Sequence, residues 1–169
     1  GLDRVLAAMH ALPQELASRT HLFVLGADNA RPFKRQARQL GLADRVRFLA
    51  GRDDVPRFLF SADALVLPAY DETAGMIILE AMFAGLPSLI TENCGFAHYQ
   101  RSAGAGLITP LPFSQSCFNQ QLETLLTSPE HEAWRQAGLA QARRQEFFQL
   151  AEVAVDHLER FAAEREVAA

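Results

Sequence analysis

The sequence predicts an α/β domain: a Rossmann-like, doubly wound parallel sheet with helices on both faces. Three observations lead there. Short apolar runs recur and close on Gly or Pro, as in strands buried on both sides. Segments with helical apolar spacing lie between those runs. The alternation continues along the chain without an internal repeat or a linker, so one domain covering 1–169 is expected.

Leu2, Val5, Leu6 and Met9 form one helical stripe over residues 2–11, and Pro13 ends it. Residues 21–25, His-Leu-Phe-Val-Leu, read as the first strand, closed by Gly26. Residues 32–40 read as a helix stopped at Gly41, and residues 45–49 as a second strand closed by Gly51. Asp53 or Asp54 can cap a helix running to residue 62, with Pro56 tolerated in its first turn. Residues 64–67 are a third strand ending at Pro68, residues 75–85 a helix, 88–91 a fourth strand and 107–109 a short fifth. From Ser114 onward the chain reads as helical, with breaks at Pro129 and near Phe148, and Trp134 anchors the 130–146 helix.

Two features suggest a piece of a larger protein. The chain opens in a helix at Gly1-Leu2-Asp3, whereas a doubly wound domain usually opens with a strand near the sheet centre. The last segment carries Phe147, Phe148, Leu150, Val153, Val155, Leu158 and Phe161, a heavy apolar load that a packed C-terminal helix would also explain.

Composition narrows the function. Sixteen Lys and Arg against twenty Asp and Glu give a formal net charge of −4, so a nucleic-acid partner is not expected. No apolar run approaches the roughly 18 residues that cross a bilayer, and no signal-peptide pattern opens the chain. Two cysteines, Cys94 and Cys117, cannot make a zinc site alone, and Cys94 reads as a small buried residue. The expectation is a soluble domain from a reducing compartment. An apolar fraction of 49% and the lack of low-complexity tracts exclude disorder.

In open α/β sheets ligands sit beyond the carboxyl ends of the strands, here residues 26–29, 51–54, 68–75 and 91–98. The loop Pro68-Ala69-Tyr70-Asp71-Glu72-Thr73-Ala74-Gly75 leads into a helix. Gly75 lacks a Cβ and lets a ligand approach the backbone, and the amides of Gly75, Met76 and Ile77 with the helix dipole favour an anion such as phosphate. Glu80, about one turn further in, can accept from a ribose diol, and Glu72 from hydroxyls at the other end of the ligand. A diphosphate between ribose and hexose fits that layout. The alternative is that Glu72 and Glu80 are ordinary surface acids favoured by the helix start.

Other nucleotide motifs are absent. There is no G-x-G-x-x-G and no Walker lysine, and Gly104 and Gly106 lead into a strand with no third glycine. No two aspartates stand two positions apart, so no D-x-D metal clamp exists and no metal is expected.

Glu72 and Glu80, seven residues between them, followed by Ala81-Met82-Phe83-Ala84-Gly85-Leu86-Pro87, resemble the signature of retaining glycosyltransferases of the GT-B fold. Further matches are Phe48-Leu49-Ala50-Gly51-Arg52-Asp53-Asp54-Val55, Ala62-Asp63, Pro68-Ala69-Tyr70, Cys94-Gly95-Phe96-Ala97-His98-Tyr99 and Pro112-Phe113-Ser114-Gln115. The last two narrow the resemblance to the lipopolysaccharide core glucosyltransferase I family of Gram-negative bacteria. It runs over most of the chain and weakens after about Glu130.

The resemblance implies the C-terminal, donor-binding half of a GT-B enzyme, without its first strand and N-terminal acceptor domain. Such an enzyme moves glucose from UDP-glucose to an inner-core heptose in α-1,3 linkage, at the cytoplasmic face of the inner membrane. By the same resemblance Glu80 holds the ribose and Glu72 contacts the transferred glucose as the candidate catalytic residue, in an orienting role. The turn at Ala74 and the amides of Gly75, Met76 and Ile77 hold the diphosphate, Arg52 borders the uracil, and Gly26 lets base and phosphates approach the sheet. UDP-glucose is the donor substrate and no cofactor or metal is implied. The family carries a basic pair just before the helix that opens this sequence, so weak UDP binding and no sugar transfer are expected from these residues alone. The alternatives are another UDP-sugar enzyme of the same fold, an epimerase included, or a binding module without catalysis.

Three lesser candidates stand beside these. His98 can donate to phosphate or sugar, or serve a structural hydrogen bond. Tyr70 and Tyr99 can line the donor pocket or simply pack. Arg31, Lys34, Arg35 and Arg38 form a basic stripe that suits a solvated face or contact with anionic lipid, although peripheral membrane contact is expected mainly through the N-terminal domain.

Overall fold

A computed structural model describes residues 1–144. The elements in order are α1 (Leu2–Ala11), α2 (Gln14–Arg19), β1 (Leu22–Leu25), α3 (Arg31–Gln39), β2 (Val46–Leu49), α4 (Val55–Ser61), β3 (Leu65–Leu67), α5 (Met76–Ala84), β4 (Ser88–Thr91), α6 (Ala97–Ala103), β5 (Gly106–Thr109), α7 (Gln115–Thr127) and α8 (His131–Ala142). All strand pairs are parallel, and helices cover both faces, as the sequence predicts.

Residues 89 and 90 on β4 show how the layers form. Neighbouring strand residues point to opposite faces. Leu89 joins Val5, Leu6 and Met9 of α1 and Phe118, Leu122 and Leu125 of α7. Ile90 joins Ile78 and Met82 of α5 with Ala97 of α6. A third cluster ties Leu59 of α4 to Ala81 and Ala84 of α5. Because α5 packs on strands, on α4 and on α8, it is apolar nearly all round, which is the pattern of a helix inside a core. Trp134 is buried in α8, as its anchoring role requires.

The five parallel strands fall into two groups. Among the described residues β1 pairs only with β2, while β3, β4 and β5 form a separate three-stranded sheet. All four residues of β4 are buried, Ser88 and Thr91 included, whereas β1 and β3 are only half-buried although they are apolar throughout. Strand order explains it, since β4 has a neighbour on each side and β1 and β3 do not.

Two helices escaped the periodicity reading. The six residues of α2 contain only Leu16 and Ala17 to pack, both partly buried. In α6 the inward position is the polar Gln100, almost fully buried. Its amide donates to the carbonyls of Ser88 and Leu107 at 2.9 and 3.0 Å and accepts from the Ser88 hydroxyl. A buried polar side chain satisfied in this way stitches α6 to β4 and β5 but leaves no apolar period to read. Asp54 is the N-cap residue of α4 but makes no capping bond, because its carboxylate is held by Arg52. The break near Phe148 and the apolar residues 147–161 lie outside the described residues. Among those described, no helix is long and apolar enough to cross a membrane.

Candidate functional site

Gly75 begins α5 in the left-handed region, with φ of 79°. That conformation is cheap only for glycine, and a Cβ there would stand 3.0 Å from the Ile78 side chain and 3.4 Å from Glu72. Gly75 therefore turns the chain from the loop after β3 into the helix. The helix ends on Gly85, also left-handed, whose amide bonds back to Met82. Met76 and Ile77 occupy the first helical turn, where amides lack intrahelical acceptors.

Glu72 lies two and three residues before Ala74 and Gly75 and folds back onto both. Its Oε1 accepts the Gly75 amide at 3.0 Å and the Ala74 amide at 3.3 Å. The Gly75 amide, expected to be open to a phosphate, is thus held by a carboxylate of the same loop. The physical reason is that an acid three residues before a helix start meets the same dipole that attracts phosphate.

The loop after β4 closes against this turn. Gly95 donates its amide to the Glu72 carbonyl at 3.0 Å, and Phe96 donates to the Ala74 carbonyl at 2.8 Å. Glu72 and Cys94 form an isolated parallel bridge. A Cβ at Gly95 would lie 2.0 Å from the Thr73 carbonyl oxygen, so only glycine permits the approach. Asn93 adds a side-chain bond to the Tyr70 carbonyl at 2.6 Å. Cys94 is buried behind the bridge, and that burial pushes its thiol pKa up.

The first turn of α1 holds the other end of the loop. The Arg4 guanidinium lies 3.6 Å from the Tyr70 ring centre and 3.8 Å from that of Phe113. It donates to the carbonyls of Ala69 and Pro68 at 3.0 and 3.3 Å. The Tyr70 hydroxyl donates to Asp3 at 2.6 Å, and that anionic acceptor raises the phenol pKa. Tyr70 is thus exposed but committed to α1. Arg4 and Asp3 were not singled out from sequence, and Gly95 and Phe113 entered only as members of matched motifs; their roles depend on contacts between residues far apart in the chain.

The remaining candidates spread along the carboxyl edge. Glu80 is exposed on α5, one turn beyond the exposed Met76 and therefore on the same helix face. Gly26 is exposed, and a Cβ there would meet nothing within 4 Å. Arg52 is exposed and pairs with Asp54 through two bonds of 2.6 and 2.8 Å, with its guanidinium 5.1 Å from the Phe58 ring centre. The hydrogen bond and charge of that pair raise the Arg52 pKa and lower that of Asp54. His98 is not in a loop but is the second residue of α6, where its Nδ1 bonds the Gly95 carbonyl at 2.9 Å beside the Tyr99 ring. The polar sequence around it hid that helix. Arg31, Lys34, Arg35 and Arg38 are all exposed on α3. Among the described residues no three His, Cys, Asp or Glu side chains converge as metal ligands.

The family model described as "Glycosyl transferases group 1" matches residues 1–141. The lipopolysaccharide glucosyltransferase WaaG of Escherichia coli K12 is 43% identical over 157 residues, covering 92% of this chain and 42% of its own length. A D-inositol 3-phosphate glycosyltransferase of Stackebrandtia nassauensis is 34% identical over 115 residues, covering 63% of this chain and 26% of that protein. The crystal structure of WaaG superposes with a TM-score of 0.88 at 42% identity, over 92% of this chain and 42% of that one. Anabaena HepE, solved with UDP-glucose, shares the fold at 20% identity and a TM-score of 0.75, over 95% and 44% of the two chains. The chain thus spans less than half the length of these relatives. A match to the family model over residues 1–141, on an α/β parallel fold shared with GT-B glycosyltransferase C-terminal domains, establishes that the chain belongs to the group 1 glycosyl transferases.

Proposed function

We propose that the chain is the donor-binding domain of a retaining glucosyltransferase. The whole enzyme moves glucose from UDP-glucose to an inner-core heptose of lipopolysaccharide, in α-1,3 linkage, at the cytoplasmic face of the bacterial inner membrane. The observation that carries this reading is the glycine-opened turn of α5, with Glu72 folded onto its amides and Glu80 exposed on its outer face. The 43% identity to WaaG supports the choice of sugar and acceptor.

In this reading the diphosphate meets the first turn of α5, where the amides of Met76 and Ile77 and the helix dipole stabilise negative charge as UDP departs. A phosphate oxygen and the Glu72 carboxylate compete for the Gly75 amide. Donor binding therefore frees Glu72 to accept hydroxyls of the glucose and orient it, rather than to attack it. Glu80 accepts the ribose hydroxyls from the face it shares with Met76. Arg52 and Gly26 border the base, Ala74 the turn, and His98 the sugar side.

Calorimetric titration of the chain with UDP, UDP-glucose and UDP-galactose tests this reading. Saturable UDP binding is expected, with Glu80→Ala weakening it by about tenfold or more, as loss of hydrogen bonds to a diol requires. No saturable response to any of the three would refute it.

A further inference from the structure

Positive charge is segregated in this acidic chain. Six of its sixteen Lys and Arg fall between residues 31 and 47 with a single acid, Asp44, among them, although the net charge is −4. Arg31, Lys34, Arg35 and Arg38 share one face of α3, and Arg47 lies on β2; all five are exposed. Lys34, Arg38 and Arg47 line a groove of about 460 Å³ between α3 and β2, together with the buried Ala37 and Val46 and the ring of Phe48. We infer that this groove is an anion-binding site for a small molecule carrying two or more phosphate groups.

Three observations show that these cations serve a ligand rather than the fold. First, none of the five side chains makes a hydrogen bond or an ion pair with a described residue. Lys34 has the Phe48 ring centre 5.7 Å from its Nζ. Second, the helix is weakened by them. Arg31 opens α3, whose first turn holds no acid, so a cation meets the positive end of the helix dipole. Arg31 stands three and four residues from Lys34 and Arg35, and Arg38 stands at the same distances from that pair, so like charges repel along the stripe. Third, the groove has the volume of a small-molecule site, and the short side chains of Ala37 and Ala43 leave room between the cations. Four of the five cations are Arg, whose planar fork pairs with two oxygens of one phosphate. The helix from Arg31 to Arg38 rises about 10 Å, further than one phosphate reaches. A carboxylate carries one charge where a phosphate ester carries nearly two, so an acidic peptide neutralises the groove less fully in the same space. A bilayer fits less well, because no large apolar side chain is exposed on α3 or β2 to enter it. None of these residues belongs to the donor site, and the inference does not depend on what that site binds.

Calorimetric titration with inorganic tripolyphosphate, in about 0.1 M salt and with UDP in excess, tests the site on three forms of the full chain. One is the parent; the second carries Lys34→Glu with Arg38→Glu; the third carries Arg19→Glu with Arg57→Glu, two exposed cations outside the groove whose reversal changes the net charge equally. Saturable binding is expected in the parent and the third form, with affinity at least about tenfold weaker in the second, as loss of two charge-assisted contacts requires. Thermal unfolding shows that the second form remains folded, since relief of repulsion along α3 keeps its Tm at or above that of the parent. Equal affinity in the parent and the second form would overturn the inference, as would equal weakening in both variants, or a second form that does not fold. Competition by UDP would overturn it too, by moving the anion to the donor site. Hexaglutamate binding as tightly as tripolyphosphate would make the occupant an acidic peptide instead. Binding to phosphatidylglycerol vesicles through Lys34 and Arg38, with no response to tripolyphosphate, would make it a bilayer.

Discussion

One carboxylate oxygen of Glu72 accepts the amide of Gly75 at 3.0 Å, so the acid beside the helix start occupies a donor that a phosphate would use. An anion already in place at that turn is a competitor to be displaced, and its removal alters binding and recognition in opposite directions.

Glu72→Gln keeps the shape but weakens the competing acceptor. UDP binding is expected to tighten by a few-fold, about 1 kcal/mol, because a charged acceptor holds an amide roughly twice as strongly as a neutral one. The preference for UDP-glucose over UDP is expected to fall, since the sugar loses its carboxylate partner. Paired calorimetric titrations with UDP and UDP-glucose check both effects; weaker UDP binding would show that Glu72 orders the turn for the ligand instead.

Gly95→Ala places a methyl on the Thr73 carbonyl and forces the two loops apart. A destabilisation of about 1–3 kcal/mol follows from such overpacking, together with loss of UDP binding. Gly26→Ala, which meets nothing, is expected to stay within about 0.5 kcal/mol of the parent. Urea unfolding of the two variants separates a glycine needed for close approach from one that only leaves room.

Arg4→Lys removes the planar group stacked between Tyr70 and Phe113 and weakens its bonds to Pro68 and Ala69. A point charge on a flexible stem does not replace a stacked guanidinium, so a loss of about 1–2 kcal/mol is expected. Thermal unfolding measures it. An unchanged Tm would mean that the clamp contributes nothing to stability.

Cys94 is buried and its thiol pKa is raised, so the reactive thiolate is scarce at mild alkaline pH. Its labelling by iodoacetamide at about pH 8 is expected to lag behind that of the partly exposed Cys117 by at least about tenfold. Mass spectrometry of the labelled chain reads the order directly. Unfolding in urea abolishes the difference.

Local pattern carried much of the fold. Short, largely apolar runs marked the five strands of the described residues, and glycines at 75 and 85 bounded α5, because secondary-structure period and backbone permissiveness act within a few residues. The eight-residue step from Glu72 to Glu80 and the residues that follow it pointed to the family for the same reason, since a helix start and its capping glycine are written in one stretch of chain. Other features lay beyond that range. The α6 helix was hidden because Gln100 satisfies its amide on two strands rather than through an apolar period. Gly95 gains its importance from Thr73, and Arg4 from Tyr70 and Phe113, none of them local neighbours. The separation of β1 from β3 arises from strand order, which no single run of residues encodes. Periodicity reports how a segment meets a core, whereas loop closure, competition for an amide and the pairing of strand edges are set by which distant backbones approach within hydrogen-bonding distance.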